Sequence, residues 1–214
     1  MAGATISTLQ PRKTPVQARS AQTVDAILEA TIQVLLAEGK ERLTTTQVAH
    51  RAGVSVGTLY QYFPNKRALL QASLKRHMES VSRAMQEACE QNRSKSLLEM
   101  GSALIAAFLE AKMRDIQASV TLYAVSSDVD GAAISKAASA RTRHLVAGLL
   151  ATARERLTKD PEVVASVVLA ALNGVARRVL EAKNPVREIE SLREELVVLV
   201  HAYLRTCVAV PPGD

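Results

Sequence analysis

The sequence predicts an all-α protein, and three observations carry that prediction. Glycine and proline are scarce, nine and seven in 214 residues, while hydrophobic residues make up 48%, enough for a packed core rich in helix-favouring alanine and leucine. Apolar residues recur three and four apart along most of the chain, the spacing of one helix face. No stretch alternates as a strand would, and no internal repeat is visible.

Residues 1–18 contain Pro11, Pro15 and several Ser/Thr without a helical period, so a flexible arm is expected there. It brings Arg12, Lys13 and Arg19 toward the first helix. Val24, Ile27, Leu28, Thr31, Val34 and Leu35 predict that helix over about 21–38, with Gly39 placed to end it. Thr44 followed by Gln47 fits a capping box and opens a second helix ending near Ala52. Gly53 suits a tight turn. Ser55 can cap a third helix from Val56 to about Phe63, and Pro64 stops it. Asn65 starts a long fourth helix, about 66–92.

Beyond Arg93, Leu97, Gly101, Leu104, Ile105, Phe108 and Leu109 form one face, and Val120, Tyr123 and Val125 a shorter one. A loop is expected over 126–131 and a helix over about 132–157. Asp160-Pro161 supplies a cap and first-turn proline for the next helix, with Val164, Val168, Ala171, Leu172, Val175 and Val179 on its stripe. Asn184-Pro185 ends it. The last helix, about 187–208, carries Ile189, Leu192, Leu196, Leu199 and Tyr203, with Val197, Val200 and Leu204 as a second stripe. A helix apolar on two faces needs two burial partners, its own domain and either more of that domain or a second copy of the chain. Residues 211–214 are expected to fray.

The charge is unevenly placed. Residues 1–76 hold ten Lys/Arg against four Asp/Glu, which is the whole net charge of +6, and the remainder holds seventeen of each. No acid occurs between Glu41 and Glu79. Such asymmetry points to an anionic partner for that third, nucleic acid first, against the plainer reading of a solvated basic face. Cys89 and Cys207 are far apart and suggest neither a disulfide framework nor a metal site. With no signal-peptide pattern and no apolar run judged long enough to span a bilayer, a cytoplasmic protein is expected.

The stretch TTTQVAHRAGVSVGTLYQYFPNK, residues 44–66, holds three of the chain's six aromatic residues. Two short helices joined through AGVS match a helix-turn-helix, in which the second helix lies in the DNA major groove. Val48, Ala49 and Val54 pack inward, and Leu59 marks the inner side of the third helix. Val56, Gly57, Thr58, Tyr60, Gln61 and Tyr62 share the outer side. Thr45, Thr46 and Thr58 offer hydroxyls, Gln61 an amide for a base edge, Tyr60 and Tyr62 phenols for phosphate, and Lys66 a point charge. Gly57 permits close approach of the backbone to phosphate. Phe63 reads as core.

Residues 21–75 resemble the DNA-binding domain of the tetracycline-repressor (TetR) family of bacterial transcription regulators. The motif LTTTQVAHRAGVSVGTLYQYFPNKRALL and the preceding helix ending LLAEG carry the resemblance. It implies nine helices, three for DNA and six for ligand sensing and dimerisation, with domains at 19–76 and 77–210. It also implies DNA contacts from Thr45, Thr46, Val56, Gly57, Thr58, Tyr60, Gln61, Tyr62 and Lys66. The last two helices correspond to the family's dimer-forming pair, with Val164, Val168, Leu172, Val175, Leu192, Leu196, Leu199 and Tyr203 as interface candidates. The implied activity is repression by a homodimer on a near-palindromic operator, released by a small-molecule effector in the C-terminal domain. By the same analogy the pocket draws on Met100, Leu104, Phe108, Met113, Tyr123, His144, Asn173 and Arg177, of which His144, Asn173 and Arg177 are polar groups needing partners if buried. The longer, basic arm adds a possible DNA contact.

An enzyme is the competing class. His50, His77, His144 and His201 make no ligand spacing, and no phosphate-cradling glycine loop occurs. No cofactor or metal is expected. A helical adaptor that binds only protein is the other alternative, and the acid-free basic stretch argues against it.

Overall fold

A computed structural model describes residues 15–209. The described residues form nine α-helices: α1 (Pro15–Arg42), α2 (Thr45–Arg51), α3 (Val56–Tyr62), α4 (Lys66–Gln91), α5 (Leu97–Met113), α6 (Ile116–Ala124), α7 (Gly131–Leu150), α8 (Pro161–Leu180) and α9 (Pro185–Arg205). A 3-10 turn over Ser126–Val129 precedes α7. No strand is present among the described residues. The chain divides into two compact units, Met1–Leu69 and Leu70–Asp214, the division falling inside α4 and earlier than the boundary expected near residue 76.

In the first unit, Ile27, Leu28, Leu35, Leu43, Val48, Ala49, Leu59 and Leu69 are buried. Two seven-residue helices are too short to persist alone, so this shared core holds them. The expected helix starts are in place. Thr44 and Gln47 form the capping box, with Gln47 N donating to Thr44 Oγ1 at 3.2 Å and Thr44 N to Gln47 Oε1 at 2.9 Å. Ser55 Oγ accepts from Thr58 N at 3.0 Å, and Asn65 Oδ1 from Ala68 N at 2.8 Å. Phe63 is buried, as expected.

Several boundaries differ from the sequence reading. The first helix begins at Pro15, inside the expected arm, because proline is pre-organised for the first helical position. The rest of that arm, with Arg12 and Lys13, and the tail at 211–214 lie outside the described residues. Gly39 does break the helix, at φ 76°. The helix expected to reach residue 157 stops at Leu150. Beyond it the polar groups find distant partners: Arg154 N donates to Lys95 O at 3.0 Å, Glu155 Oε2 accepts from Leu97 N at 2.9 Å, and Thr158 N donates to Cys207 O at 2.8 Å. Those bonds compete with continued helix. The same pairing ends α9 at Arg205, short of the expected 208, since Leu157 and Val208 form an antiparallel bridge.

The second unit has one continuous core, from Val81 and Met85 of α4 through Met100, Leu104 and Phe108 of α5 to Val146, Val164, Leu172, Leu196 and Leu204. One expectation about membranes is corrected here. The Pro161–Leu180 helix is long and apolar enough to cross a bilayer by length and composition. Val164, Val168 and Leu172 on it are instead packed within the chain, at 0–1% exposure.

Candidate nucleic-acid interface and cavity

The helix-turn-helix depends on a turn at Gly53, whose φ of 67° is costly for any residue with a Cβ. Gly53 N donates to His50 O and Val54 N to Ala49 O, which reverses the chain between α2 and α3. On α3 Leu59 is fully buried, while Val56, Gly57, Tyr60 and Gln61 are exposed and Thr58 and Tyr62 half-buried. The outer face is therefore the one read from the sequence. Thr46 is exposed and Thr45 half-buried at the start of α2.

Two of the phenols also tie the head together. Tyr60 Oη lies 3.0 Å from Thr45 Oγ1, joining the start of α2 to the outer side of α3. Tyr62 Oη lies 3.2 Å from Ser20 Oγ on α1. Lys66 Nζ donates to the carbonyl of Lys40, beside the break at Gly39, leaving two of its three donors for other partners. Arg51 Nε donates to Gln33 Oε1 at 2.7 Å, fixing α2 on α1. Gln61 makes no hydrogen bond among the described residues. An added Cβ at Gly57 would meet only Ser55 Oγ, at 3.8 Å. The fold itself does not require glycine there.

In the second unit a cavity of about 480 Å³ lies among α4 to α8. Of the candidate ligand residues, Tyr123, Asn173 and Arg177 line it. Phe108 lines an adjoining recess of about 30 Å³, which shares Met78, Lys112 and Asn173 with the cavity. Met100 and Leu104 are fully buried in the core instead. Met113 is half-buried and outside the cavity lining. His144 is corrected most clearly: its side chain is 87% exposed, with Nδ1 3.1 Å from Glu162 Oε1 on α8. Val146, Ala147, Leu149 and Leu150 form the inward face of α7 and leave His144 on the outside. A more open groove of about 600 Å³ runs between α4 and α7, with Lys75, Glu79, Arg83 and Arg141 along it.

The cavity wall holds groups that sequence reading missed. Lys112 is buried at 7% exposure, and burial lowers its pKa. Its Nζ donates to Met78 Sδ at 3.8 Å. Ser119 donates its hydroxyl to Lys112 O at 2.7 Å, which leaves His77 Nε2, at 3.2 Å, to donate to Ser119 Oγ. Burial, assisted by the Lys112 charge, lowers the His77 pKa to about 4, so the imidazole is neutral near pH 7. One signal for Lys112 was available: it continues the α5 stripe of Gly101, Ile105 and Phe108. Tyr123 Oη and Arg177 Nε both donate to Glu181 Oε1, at 2.6 and 3.0 Å, so Arg177 is paired with a carboxylate.

The dimer candidates are redistributed by burial. Val164, Val168, Leu172 and Leu196 sit in the chain's own core, and Val175, Leu192 and Tyr203 are half-buried. Leu199 alone of that set is well exposed, at 55%. The sequence stripe marked the inner face, because it is the more continuous one. The large apolar residues left outside on these helices are Val163 and Val167 on α8 and, on α9, Val186 near its start and the adjacent Val198 and Leu199.

A family model described as "Bacterial regulatory proteins, tetR family" matches residues 27–73, and one described as "Tetracyclin repressor-like, C-terminal domain" matches residues 96–204. Among characterised relatives, the HTH-type transcriptional repressor KstR of Mycolicibacterium smegmatis is 46% identical over 55 residues, covering 26% of this chain and 27% of that protein. The uncharacterised HTH-type transcriptional regulator YvkB of Bacillus subtilis is 33% identical over 79 residues, 37% of this chain and 41% of that one. Each match thus spans less than half of the relative. A solved structure of a TetR-family regulator from Mesorhizobium loti superposes with a TM-score of 0.69 at 15% identity, covering 89% of this chain and 99% of that one, a likeness of fold.

Proposed function

The chain belongs to the TetR family of bacterial transcription regulators, and from that premise we propose that it is a repressor, acting as a homodimer on a near-palindromic operator and released by a small molecule bound in the second unit. The observation that carries the reading is the outer face of α3, with Gln61 uncommitted, Gly57 free of any internal need, and an acid-free stretch around it.

The roles follow from chemistry. Val56, Gly57, Thr58 and Gln61 face the bases and nearby phosphates, and Thr45, Thr46, Tyr60, Tyr62 and Lys66 face the backbone. Tyr60 and Thr45, already hydrogen-bonded to each other, present as a pre-formed pair. The exposed Val163, Val167, Val198 and Leu199 supply a self-complementary apolar patch for a second copy, related by a two-fold axis that matches a palindrome. An effector that binds the DNA-incompetent state better lowers operator affinity, and DNA weakens the effector by the same factor. Regulation, and no catalysis, is the family's activity.

The test is selection of bound genomic fragments by the full chain, followed by mobility-shift titration of the selected site across salt concentrations. Tight binding to a two-fold-related site is expected. Its logarithmic salt slope should be about 0.9 per phosphate neutralised. Retention of no preferred sequence, or binding indifferent to salt, would overturn the reading.

A further inference from the structure

Lys112 is the buried charge that the fold does not answer. Lysine usually lets its ammonium reach water on its flexible stem, yet this one is 7% exposed on the wall of the 480 Å³ cavity. Among the described residues its only hydrogen-bond acceptor is the thioether of Met78, at 3.8 Å, a weak one. No Asp or Glu lines the cavity. Asp115 caps α6 at the amide of Ala118 and Glu181 accepts from Tyr123 and Arg177, and neither forms an ion pair with Lys112 among the described residues. His77 is neutral and spends its proton on Ser119. A buried charge without a counter-charge is costly, and a fold retains one where something else supplies it.

We propose that the ligand of this cavity is an organic monoanion, a carboxylate on an apolar body, with its charge on the Lys112 ammonium. The inference rests on the reading that the second unit senses a small molecule. Leu74, Met78, Leu122, Ala132, Ala176 and Leu180 provide apolar wall for the body. The volume falls in the usual range for small-molecule sites, roughly 300–1,000 Å³. One free ammonium suits a single negative charge. A phosphate dianion would need a second cation, and Arg177 is already paired.

The experiment is calorimetric titration of the full chain with octanoate, decanoate, 4-phenylbutyrate and 2-naphthoate, each against its own primary amide. At least one acid is expected to bind about tenfold or more tighter than its amide, the advantage of a charge-assisted bond. In Lys112→Met that preference should vanish, while Lys112→Arg retains part of it. Empty Lys112→Met should unfold at the same or a higher temperature than the native chain, because an unanswered charge has been removed. Amides binding as tightly as acids, no acid binding, a preference surviving Lys112→Met, or a sharply destabilised empty variant would each overturn the proposal. The operator separates the two readings. An amide that releases DNA keeps the effector reading and removes the anion. An acid bound through Lys112 that leaves operator affinity unchanged keeps the anion site and removes the effector reading.

Discussion

Val198→Asp should dissociate the proposed dimer without unfolding the chain. Val198 is 62% exposed on α9, beside Leu199 at 55%. Burying a valine side chain completely contributes about 1.5–3 kcal/mol, so the open part of Val198 accounts for about 1 kcal/mol per protomer. A two-fold interface counts every substitution twice, giving about 2 kcal/mol before any charge is considered. Two aspartates brought into an apolar patch add desolvation in the same direction. The dimer dissociation constant should therefore rise at least about 30-fold, at about 1.4 kcal/mol per tenfold. Sedimentation velocity over a dilution series measures it, and a thermal melt at a concentration where both proteins are monomeric checks the fold. Val164→Ala is the contrasting variant: at 0% exposure it should lower the melting temperature and leave the monomer–monomer contact alone. An unchanged dissociation constant for Val198→Asp would show that the outer apolar face is not where copies meet.

Three further outcomes are expected. Gln61→Ala should relax base preference at one operator position by about 1–3 kcal/mol, and equal weakening on all sequences would make Gln61 a phosphate contact instead. Gly101→Ala should destabilise the second unit by about 1 kcal/mol net, overpacking outweighing the gain in helix propensity. Its added Cβ would stand 2.7 Å from Leu204 Cδ1, a side chain only 1% exposed, so pairing it with Leu204→Ala should cost less than the two changes summed, by urea denaturation. His77 titrates at about 4 in the folded chain against 6.5 for the free imidazole. The unfolded state therefore takes up the proton first on acidification, and stability present above pH 6.5 is lost as pH falls toward 4, by roughly 2 kcal/mol at pH 5. His77→Gln should flatten that slope in urea midpoints measured at pH 7 and 5, and an unaltered slope would assign it to other groups.

The first unit was legible because its signals are local. A capping box, a glycine in a left-handed turn and a proline stop each act within four residues, and Thr44, Gly53 and Ser55 all do what their types require. The outer face of α3 followed from one buried residue, Leu59. The second unit was legible as helices and much less as a site. Its apolar stripes could be found, but on α9 two stripes compete, and only packing decides which turns inward. Val164 and Leu196 are interface candidates by family correspondence alone, and packing places them in the chain's own core. His144 came from family analogy, and the inward packing of Val146, Leu149 and Leu150 leaves it on the outer side of α7. Lys112 escaped because a lysine on an apolar stripe reads as a charge reaching solvent, and whether it reaches depends on α4 and α6 closing over it.

The bridge between Leu157 and Val208 has a practical consequence for handling this protein. Cys207 O accepts from both the amide and the hydroxyl of Thr158, and Ala209 N donates to Arg156 O. The end of the described chain is thus stitched to the α7–α8 connection. Trimming it back to Arg205 would strip those partners and remove Cys207, which is now fully buried in the core of the second unit. Inserting or deleting a residue between 151 and 160 would throw the stitches out of step. A purification tag or fluorescent reporter is best joined beyond Ala209, and a library that varies connection lengths should leave this one alone.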